Sequence, residues 1–541
     1  MKFYTVFLTA LFFAMVLVSG LMRMAYKFNF VDVPDERKVH SVAIPRVGGI
    51  GMVLGSFAAV WLWMEVTEEV RVFLGALVVI AGFGLWDDRA DLDYRLKFFG
   101  QILAVAIVVF GGDVMVHTLS FAGCDPLPEW AAATLTVFYL LGMTNAMNLA
   151  DGLDGLASGV SLLSLVCVMA LASLADSTDL LLVSLAIVGG TMGFLRYNTH
   201  PAQVFMGDTG SQFLGFSLGV LTVWLTQRAN TALAPELPLL IVGLPVVDTL
   251  TVMTTRILKR RSPFKADRSH FHHKLLDLGL DHHEAVLAIY AVQTLFVISA
   301  YFMRYESGAA VLGLYAGYFV VLVLFFPVAG LAGWHLDKGD AARISLITRG
   351  IESIRRQRWL ERAANWTVSG MIVALFVAGG MIMRKPTLDM GTMALFIILV
   401  GLVFRAFRLP YSSMMQRLTI YTCAILIVYS LNSHAPDFIS NFRQIFKFFF
   451  IALAIVIAVG VYNSSNESFK LTPSDFLVMI VLLMSAYLPV VRKTHMDFVV
   501  LQSVILLYAV EFVLRRDGRL PLTVWVSSMA GLLVVGGRAL L

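Results

Sequence analysis

The chain is poor in charge: Lys, Arg, Asp and Glu make up 14% of its 541 residues, against 58% apolar residues. Soluble domains carry about 25% charged residues, so a water-soluble fold is excluded and a polytopic membrane protein is implied. The mean hydropathy of +0.80 agrees. Cysteine is almost absent: Cys124, Cys167 and Cys423 are scattered, which excludes a disulfide framework and a thiolate metal site. The first apolar run has no small-x-small cleavage site before Arg23 and is too long for a secretory leader, so it reads as a membrane helix.

What is present is a series of apolar runs, each of roughly 17–22 residues and able to cross ~30 Å of hydrocarbon as helix. About eleven fall between residues 3 and 331, including 98–118 and 237–256, and about seven between 366 and 538, including 476–491. The fold class expected is therefore all-α: a multi-helix membrane core over 1–335, a basic linker over 336–365 and a C-terminal multi-helix membrane domain over 366–541. Lys and Arg concentrate in loops 23–46, 87–97, 256–283 and 332–364 and are scarce in 65–71, 113–129, 175–180 and 228–236. By the positive-inside rule the N-terminus lies outside and the basic loops face the cytoplasm. The net charge of +5 is then mostly a topology signal, with loops anchored on anionic lipid. The linker, with Lys338, Arg343, Arg349, Arg355, Arg356, Arg358 and Arg362, reads as an amphipathic segment on the inner membrane surface. Asp389, Asp475, Asp497 and Glu511 lie near run ends, where snorkelling suffices; they form no constellation, and a packing or partner-docking role is expected for this domain, with a fused lipid-handling or export function as the alternative.

Against that topology every polar cluster falls on the cytoplasmic side. Asp87-Asp88 closes the third run, where the helix dipole disfavours anions; Arg89, Arg95 and Lys97 could neutralise the pair as a plain salt network, or the pair could position a cation or take a proton. The fifth run ends in Asn145-Ala-Met-Asn148-Leu-Ala-Asp151-Gly152-Leu-Asp154-Gly155. Asp151 and Asp154 share a face if the helix continues, and the two Asn side chains could bond the edges of a base or sugar. Phe205-Met-Gly-Asp208-Thr-Gly-Ser211 suits Mg²⁺ held by Asp208 with phosphate oxygens completing the shell. His270, His272 and His273 follow Arg268; with no Cys partner and acids suited to a hard ion, they read as donors to pyrophosphate and not as a zinc site. His282 and His283 read as interfacial bystanders, and Asp248, inside the ninth run, could brace the site or titrate. Bases for phosphate, carboxylates for Mg²⁺ and a membrane-surface site together point to phosphoryl transfer involving a lipid.

Asp87-Asp88, the 145–157 stretch, FMGDTGS at 205–211 and SPFKADRSHFHH at 262–273 resemble the motifs of the polyprenyl-phosphate N-acetylhexosamine-1-phosphate transferases, the glycosyltransferase 4 group with the MraY and WecA types. The resemblance covers roughly residues 1–335, and the interrupted histidine motif is similar to the WecA and TagO branch. It implies transfer of an N-acetylhexosamine 1-phosphate, most often from UDP-N-acetylglucosamine, to undecaprenyl phosphate at the cytoplasmic face of the inner membrane, releasing UMP. It further implies Mg²⁺, replaceable by Mn²⁺, as cofactor, membrane lipids and a homodimeric copy as partners, and no nucleic acid. By motif, Asp87 and Asp88 match the catalytic acid pair and Asp208 the Mg²⁺-binding Asp. Asn148, Asp151 and Asp154 match the nucleotide side, with Phe205 placed to stack on uracil. Arg268, His270, His272 and His273 match the pyrophosphate-contacting motif, and Lys38 and Arg46 match a basic loop more loosely. The rival reading, a transporter or flippase, predicts mid-helix acids and internal symmetry; apart from Asp248 neither is found.

Overall fold

A computed structural model describes residues 2–33, 42–120, 126–258, 260, 270–332, 358–383, 386–406, 412–433, 442–462, 477, 496–517 and 522–540. The chain divides into two units, one of Lys2–Lys338 with Thr472–Met484 and one of Gly339–Leu471 with Ser485–Leu541. Apart from one two-stranded ribbon, the regular structure described is helical, as the composition implied.

The first unit begins with α1 (Lys2–Phe28), followed by the ribbon β1 (Val31–Asp32) and β2 (Ile44–Pro45), antiparallel with Val31 opposite Pro45. Then come α2 (Gly48–Trp63), α3 (Glu68–Ala90), α4 (Tyr94–Ala106), α5 (Glu129–Ala150), α6 (Leu156–Leu174), α7 (Thr178–Asn198) and α8 (Gly207–Trp224). The unit closes with α9 (Leu237–Ile241), α10 (Gly243–Leu258), α11 (Phe271–Asp277), α12 (His282–Phe302) and α13 (Gly308–Leu331). Among the described residues of both units, ten helices are long and apolar enough to cross a membrane. The larger number expected from sequence also counted α2, α5, α8 and α10 in the first unit, the shorter apolar helices Leu388–Leu402, Thr419–Asn432 and Leu501–Val513, and the run at 476–491. Of these, α2 is apolar but short, and α5 and α8 carry polar residues of the cavity described below.

The single run expected at 237–256 is two helices. Pro245 has no N–H to offer the Ile241 carbonyl one turn back, so the ladder breaks there. Ser164 Oγ (2.8 Å) and Gln293 Nε2 (2.9 Å) donate to that freed carbonyl, while Gln293 Oε1 accepts from Leu244 N (3.2 Å). One buried amide thus mends both sides of the break.

Helix packing rests on small residues, as expected where burial in lipid gives no hydrophobic drive. α6 is buried over a full membrane-length window, among α5, α7, α8 and α12. α1 is held between two glycine pairs four residues apart: Gly51 and Gly55 of α2, and Gly189 and Gly193 of α7. A Cβ on Gly193 would lie 2.7 Å from the Leu11 carbonyl and 2.8 Å from Ala14 Cβ. Gly193→Ala is therefore expected to cost about 1–3 kcal/mol by overpacking. Gly20→Ala, with open space around it inside the same α1, is expected to leave stability unchanged or raise it by up to about 1 kcal/mol. Thermal unfolding in detergent checks the pair, and equal melting temperatures would refute the packing role.

The second unit contains α14 (Arg358–Ile382), α15 (Leu388–Ala406), α16 (Ser412–Ser433), α17 (Phe442–Tyr462), α18 (Met496–Asp517) and α19 (Leu522–Leu540). Each falls on an expected run; the run at 476–491 lies outside the described residues except for Leu477, and so does most of the 336–365 linker. Glu511 corrects the expectation of scattered charges. It accepts from Arg417 Nη1 at 2.8 and 3.0 Å and from the Tyr421 hydroxyl, and further along the same two helices Asn432 Nδ2 donates to Gln502 Oε1 at 2.7 Å. α16 and α18 are thus joined by paired polar groups, which lipid favours over leaving them unpaired.

Candidate active site

The C-terminal ends of α1, α3, α5 and α7 and the N-terminal ends of α8, α11 and α12 meet around one cavity of about 910 Å³. Alternation of helix direction brings these ends together, which is why motifs far apart in sequence share one wall. Arg46, Asp88, Asn148, Asp151, Asp154, Phe205, Asp208 and His273 line the cavity. Asp87, His270 and His272 do not, and Lys38 and Arg268 lie outside the described residues.

Adjacent residues on a helix point about 100° apart, and this separates the acid pair. Asp88 turns to α8: its Oδ1 accepts from Asp208 N (2.7 Å) and its Oδ2 from Thr209 N (3.0 Å) and Thr209 Oγ1 (2.6 Å). The carboxylate thus caps a helix N-terminus from outside, where unpaired amides and the dipole favour an anion. Two glycines make this approach fit. Gly207 has φ +65° and faces the Asp88 carboxylate where a Cβ would sit, and a Cβ on Gly84 would lie 2.6 Å from Thr209 Cα. Asp87, only 3% exposed, turns to α4: Oδ1 accepts from Leu92 N (2.8 Å) and Oδ2 pairs with Lys97. Lys97 Nζ also stands 3.6 Å from Asp208 Oδ2 and so bridges the two acids. Of the three bases expected to neutralise the pair, Lys97 does so; Arg89 lies over the Phe30 ring and Arg95 beside Tyr94.

In the 145–157 stretch, helix α5 stops at Ala150 and α6 starts at Leu156, with Gly155 at φ +78°. Asp151 and Asp154 therefore sit on a turn and not on one helical face. Asn148 Nδ2 donates to Asp208 Oδ1 and to Ser211 Oγ (3.0 Å), fixing the carboxylate that Lys97 approaches from the other side. Asn145 does not line the cavity; it exchanges hydrogen bonds with Gln101, which also reaches Gln212 Oε1 at 3.2 Å. Asn198 ties the turn down by accepting from Gly155 N (2.8 Å) and donating to Val204 O (2.9 Å). Asp154 Oδ2 faces His200 Nδ1 at 2.7 Å and accepts from Ala202 N at 3.1 Å. Arg46 pairs with Asp32 across the ribbon, and Phe205 N donates to Pro45 O (2.8 Å), which ties the backbone of this residue to the same ribbon.

Burial, then the charges of Asp208, Asp88 and Asp154, push the Asp151 carboxyl up to about 7. A raised folded-state value means stability that is complete below the unfolded value of about 3.9 and lost as pH rises through 7. With divalent ions removed, Asp151→Asn is therefore expected to melt higher than the parent at pH 8, with a smaller difference at pH 5. A difference that does not vary with pH would refute the crowding of charge at this turn.

The histidine motif divides by role. His270 Nδ1 lies 2.9 Å from Asp248 Oδ2, and Phe271 N donates to Asp248 Oδ1 (2.9 Å), so Asp248 braces the start of α11. His272 packs its ring onto Gly152, and burial pushes it down to about 3, so it is a neutral wedge under the turn. His273 alone of the three reaches the cavity. The expectation for His282 is corrected: it lines the cavity and stacks on His200, ring centroids 3.9 Å apart. Lys97, Asn198, His200 and His282 are the residues that motif reading undervalued. His200 and Asn198 stand just before the FMGDTGS motif, and that proximity was the one available signal.

Residues 70–226 match the model of the family described as glycosyl transferase family 4, a span that includes the acids from Asp87 to Asp208. The chain is 35% identical over 327 residues to the probable undecaprenyl-phosphate N-acetylglucosaminyl 1-phosphate transferase of Bacillus subtilis, covering 60% of this chain and 89% of that one. It is 36% identical to the decaprenyl-phosphate N-acetylglucosaminephosphotransferase of Mycolicibacterium smegmatis, covering 50% and 75%. It is 26% identical to the undecaprenyl-phosphate alpha-N-acetylglucosaminyl 1-phosphate transferase of Escherichia coli K12, covering 62% and 91%.

Proposed function

Since this chain belongs to glycosyl transferase family 4, we propose that it transfers N-acetylglucosamine 1-phosphate from UDP-N-acetylglucosamine to undecaprenyl phosphate at the cytoplasmic membrane face. The observation that carries this reading is the convergence of Asp88, Asn148, Asp151, Asp154, Phe205, Asp208 and His273 on one cavity at one end of the helix bundle. A lipid phosphate oxygen attacks the β-phosphorus of the donor, the bond from that phosphorus to the bridging oxygen breaks, and UMP leaves with the oxygen. The product, a polyprenyl pyrophosphoryl sugar, stays in the membrane and starts a lipid-linked glycan.

Apart from the Lys97 ammonium, the polar groups around Asp208 are the oxygens of Asp88 and Ser211 and the side-chain amide of Asn148, and such oxygen-rich surroundings suit Mg²⁺ better than a softer ion. When bound through Asp208, Mg²⁺ supplies neutralisation of the pyrophosphate and of the departing UMP. Lys97 keeps Asp208 in place from one side and Asn148 from the other. Phe205 offers an aromatic face for uracil, and Asp151 and Asp154 line the same cavity.

A phosphate monoester is mostly dianionic at pH 7, its second pKa being near ~6, so it needs little help from a base. Direct attack is further supported by the state of the acids: Asp88 spends both oxygens on α8 and Asp87 is held by Leu92 N and Lys97. Neither is poised as a nucleophile. Direct attack predicts no exchange of labelled UMP into UDP-N-acetylglucosamine without lipid acceptor. Such exchange, or a trapped aspartyl phosphate, would establish the two-step route instead. The function itself is tested by incubating the purified protein with labelled UDP-N-acetylglucosamine, Mg²⁺ and undecaprenyl phosphate; no label in the lipid phase would refute it.

A further inference from the structure

We propose that Asp154, His200 and His282 form a second divalent-metal site in the cavity wall, separate from Asp208, that takes a nitrogen-preferring ion such as Zn²⁺. One ligand atom from each of these residues lies within 4.8 Å of the other two. His200 Nδ1 is 2.7 Å from Asp154 Oδ2 and His282 Nε2 is 3.3 Å from the Asp154 carbonyl oxygen, so both rings present a nitrogen to the same residue. The three come from separate places: the turn between α5 and α6, the turn between α7 and α8, and the first residue of α12. All three line the cavity, which gives an ion a way in and leaves a coordination position for water or a substrate oxygen.

The donor set decides which ion. Two imidazoles and one carboxylate suit Zn²⁺ and its first-row neighbours, whereas Mg²⁺ asks for oxygen ligands in near-octahedral array. The two rings stack with centroids 3.9 Å apart and planes 21° apart. A neutral imidazole has one ring nitrogen with the lone pair a metal needs. An ion must lie in the plane of each ring, so the stack opens on binding. His200 is the member free to turn: its side chain is 37% exposed and the terminal sp³–sp² torsion is soft. His283 stands edge-on to His200 at 5.2 Å, with a buried Nδ1 that has no hydrogen-bond partner among the described residues. The histidines of the 270–273 motif are less suited, since His270 is committed to Asp248 and His272 is packed beneath Gly152.

The test uses the full-length protein in detergent, stripped with a chelator and equilibrated with Zn²⁺ in a large excess of Mg²⁺. Metal content by mass spectrometry is expected to show one Zn²⁺ retained per chain. Retention is expected to weaken by roughly a hundredfold in His200→Ala and in His282→Gln, since even outer-shell changes at such sites cost 10–100-fold, and to persist in Asp208→Asn. X-ray absorption on the Zn²⁺-loaded parent protein is expected to show two nitrogen scatterers at about 2.0 Å, a readout that does not depend on how a variant folds. Displacement of Zn²⁺ by Mg²⁺, an oxygen-only shell, or loss of the ion in Asp208→Asn or His273→Ala in place of His200→Ala would each overturn the site. None of these readouts uses transferase activity, so the site stands or falls apart from the function proposed above.

Discussion

Asp208→Asn is expected to reduce transfer by about a thousandfold or more, roughly 4 kcal/mol of transition-state stabilisation. The substitution is nearly isosteric. Asn148 can still donate to the remaining side-chain carbonyl, and the backbone N–H of residue 208 still reaches Asp88, so α8 stays where it is. What is lost is the negative charge between Lys97 and the cavity, the charge that the proposed function assigns to holding a divalent ion against the donor pyrophosphate. The check is initial-rate transfer of labelled sugar phosphate into lipid across a Mg²⁺ titration, beside a thermal melt. A variant that melts like the parent and is inactive at every Mg²⁺ concentration fits the reading. Retention of activity within tenfold would remove Asp208 from the metal role.

Asp88→Ala is expected to be nearly as damaging, but by another route. Three donors of the α8 N-terminus, two amides and the Thr209 hydroxyl, end on this buried carboxylate. Each buried donor left unpaired costs about 1–3 kcal/mol, so the loss is expected to reach about 3–5 kcal/mol, as when one partner of a buried charged pair is removed. Loosening the first turn of α8 also moves Asp208, and activity falls with it. Thr209→Val, which removes a single donor and leaves both amide contacts, is expected to lose a third or less of that stability and to keep measurable transfer. If Asp88→Ala melts normally yet is inactive, Asp88 acts on substrate directly and its role as an anchor for α8 is wrong.

The two expectations together reassign the acid pair. Read along the chain, Asp87 and Asp88 look equivalent, two carboxylates in the wrong place at the end of an apolar run. Helical geometry sends one to Lys97 on α4 and the other to the α8 amides. The same holds for the histidines: three residues in a row of four serve as a braced ring, a neutral wedge and a cavity-lining side chain. His200 and His282 show the converse. They stand 82 positions apart in sequence, yet their rings stack, and no local pattern in either segment announces it.

Apolar run length and the scarcity of charge were enough to determine an all-helical membrane protein with a polar face, because the bilayer core admits little else. The identity and spacing of Asp87, Asp88, Asp151, Asp154 and Asp208 were enough to mark the face that carries chemistry, because carboxylates beside hydrocarbon persist only where something holds them. The tertiary structure alone decided which of those groups reach the cavity and which hold its walls. It also decided that α5 stops before Asp151, that Gln293 mends the break ahead of Pro245, and that Lys97 stands between Asp87 and Asp208. The physical reason is that a side chain's role depends on the partner brought to it from another helix. That pairing is set by packing geometry, by glycine contacts such as Gly84 against Thr209, and not by the neighbours along its own chain.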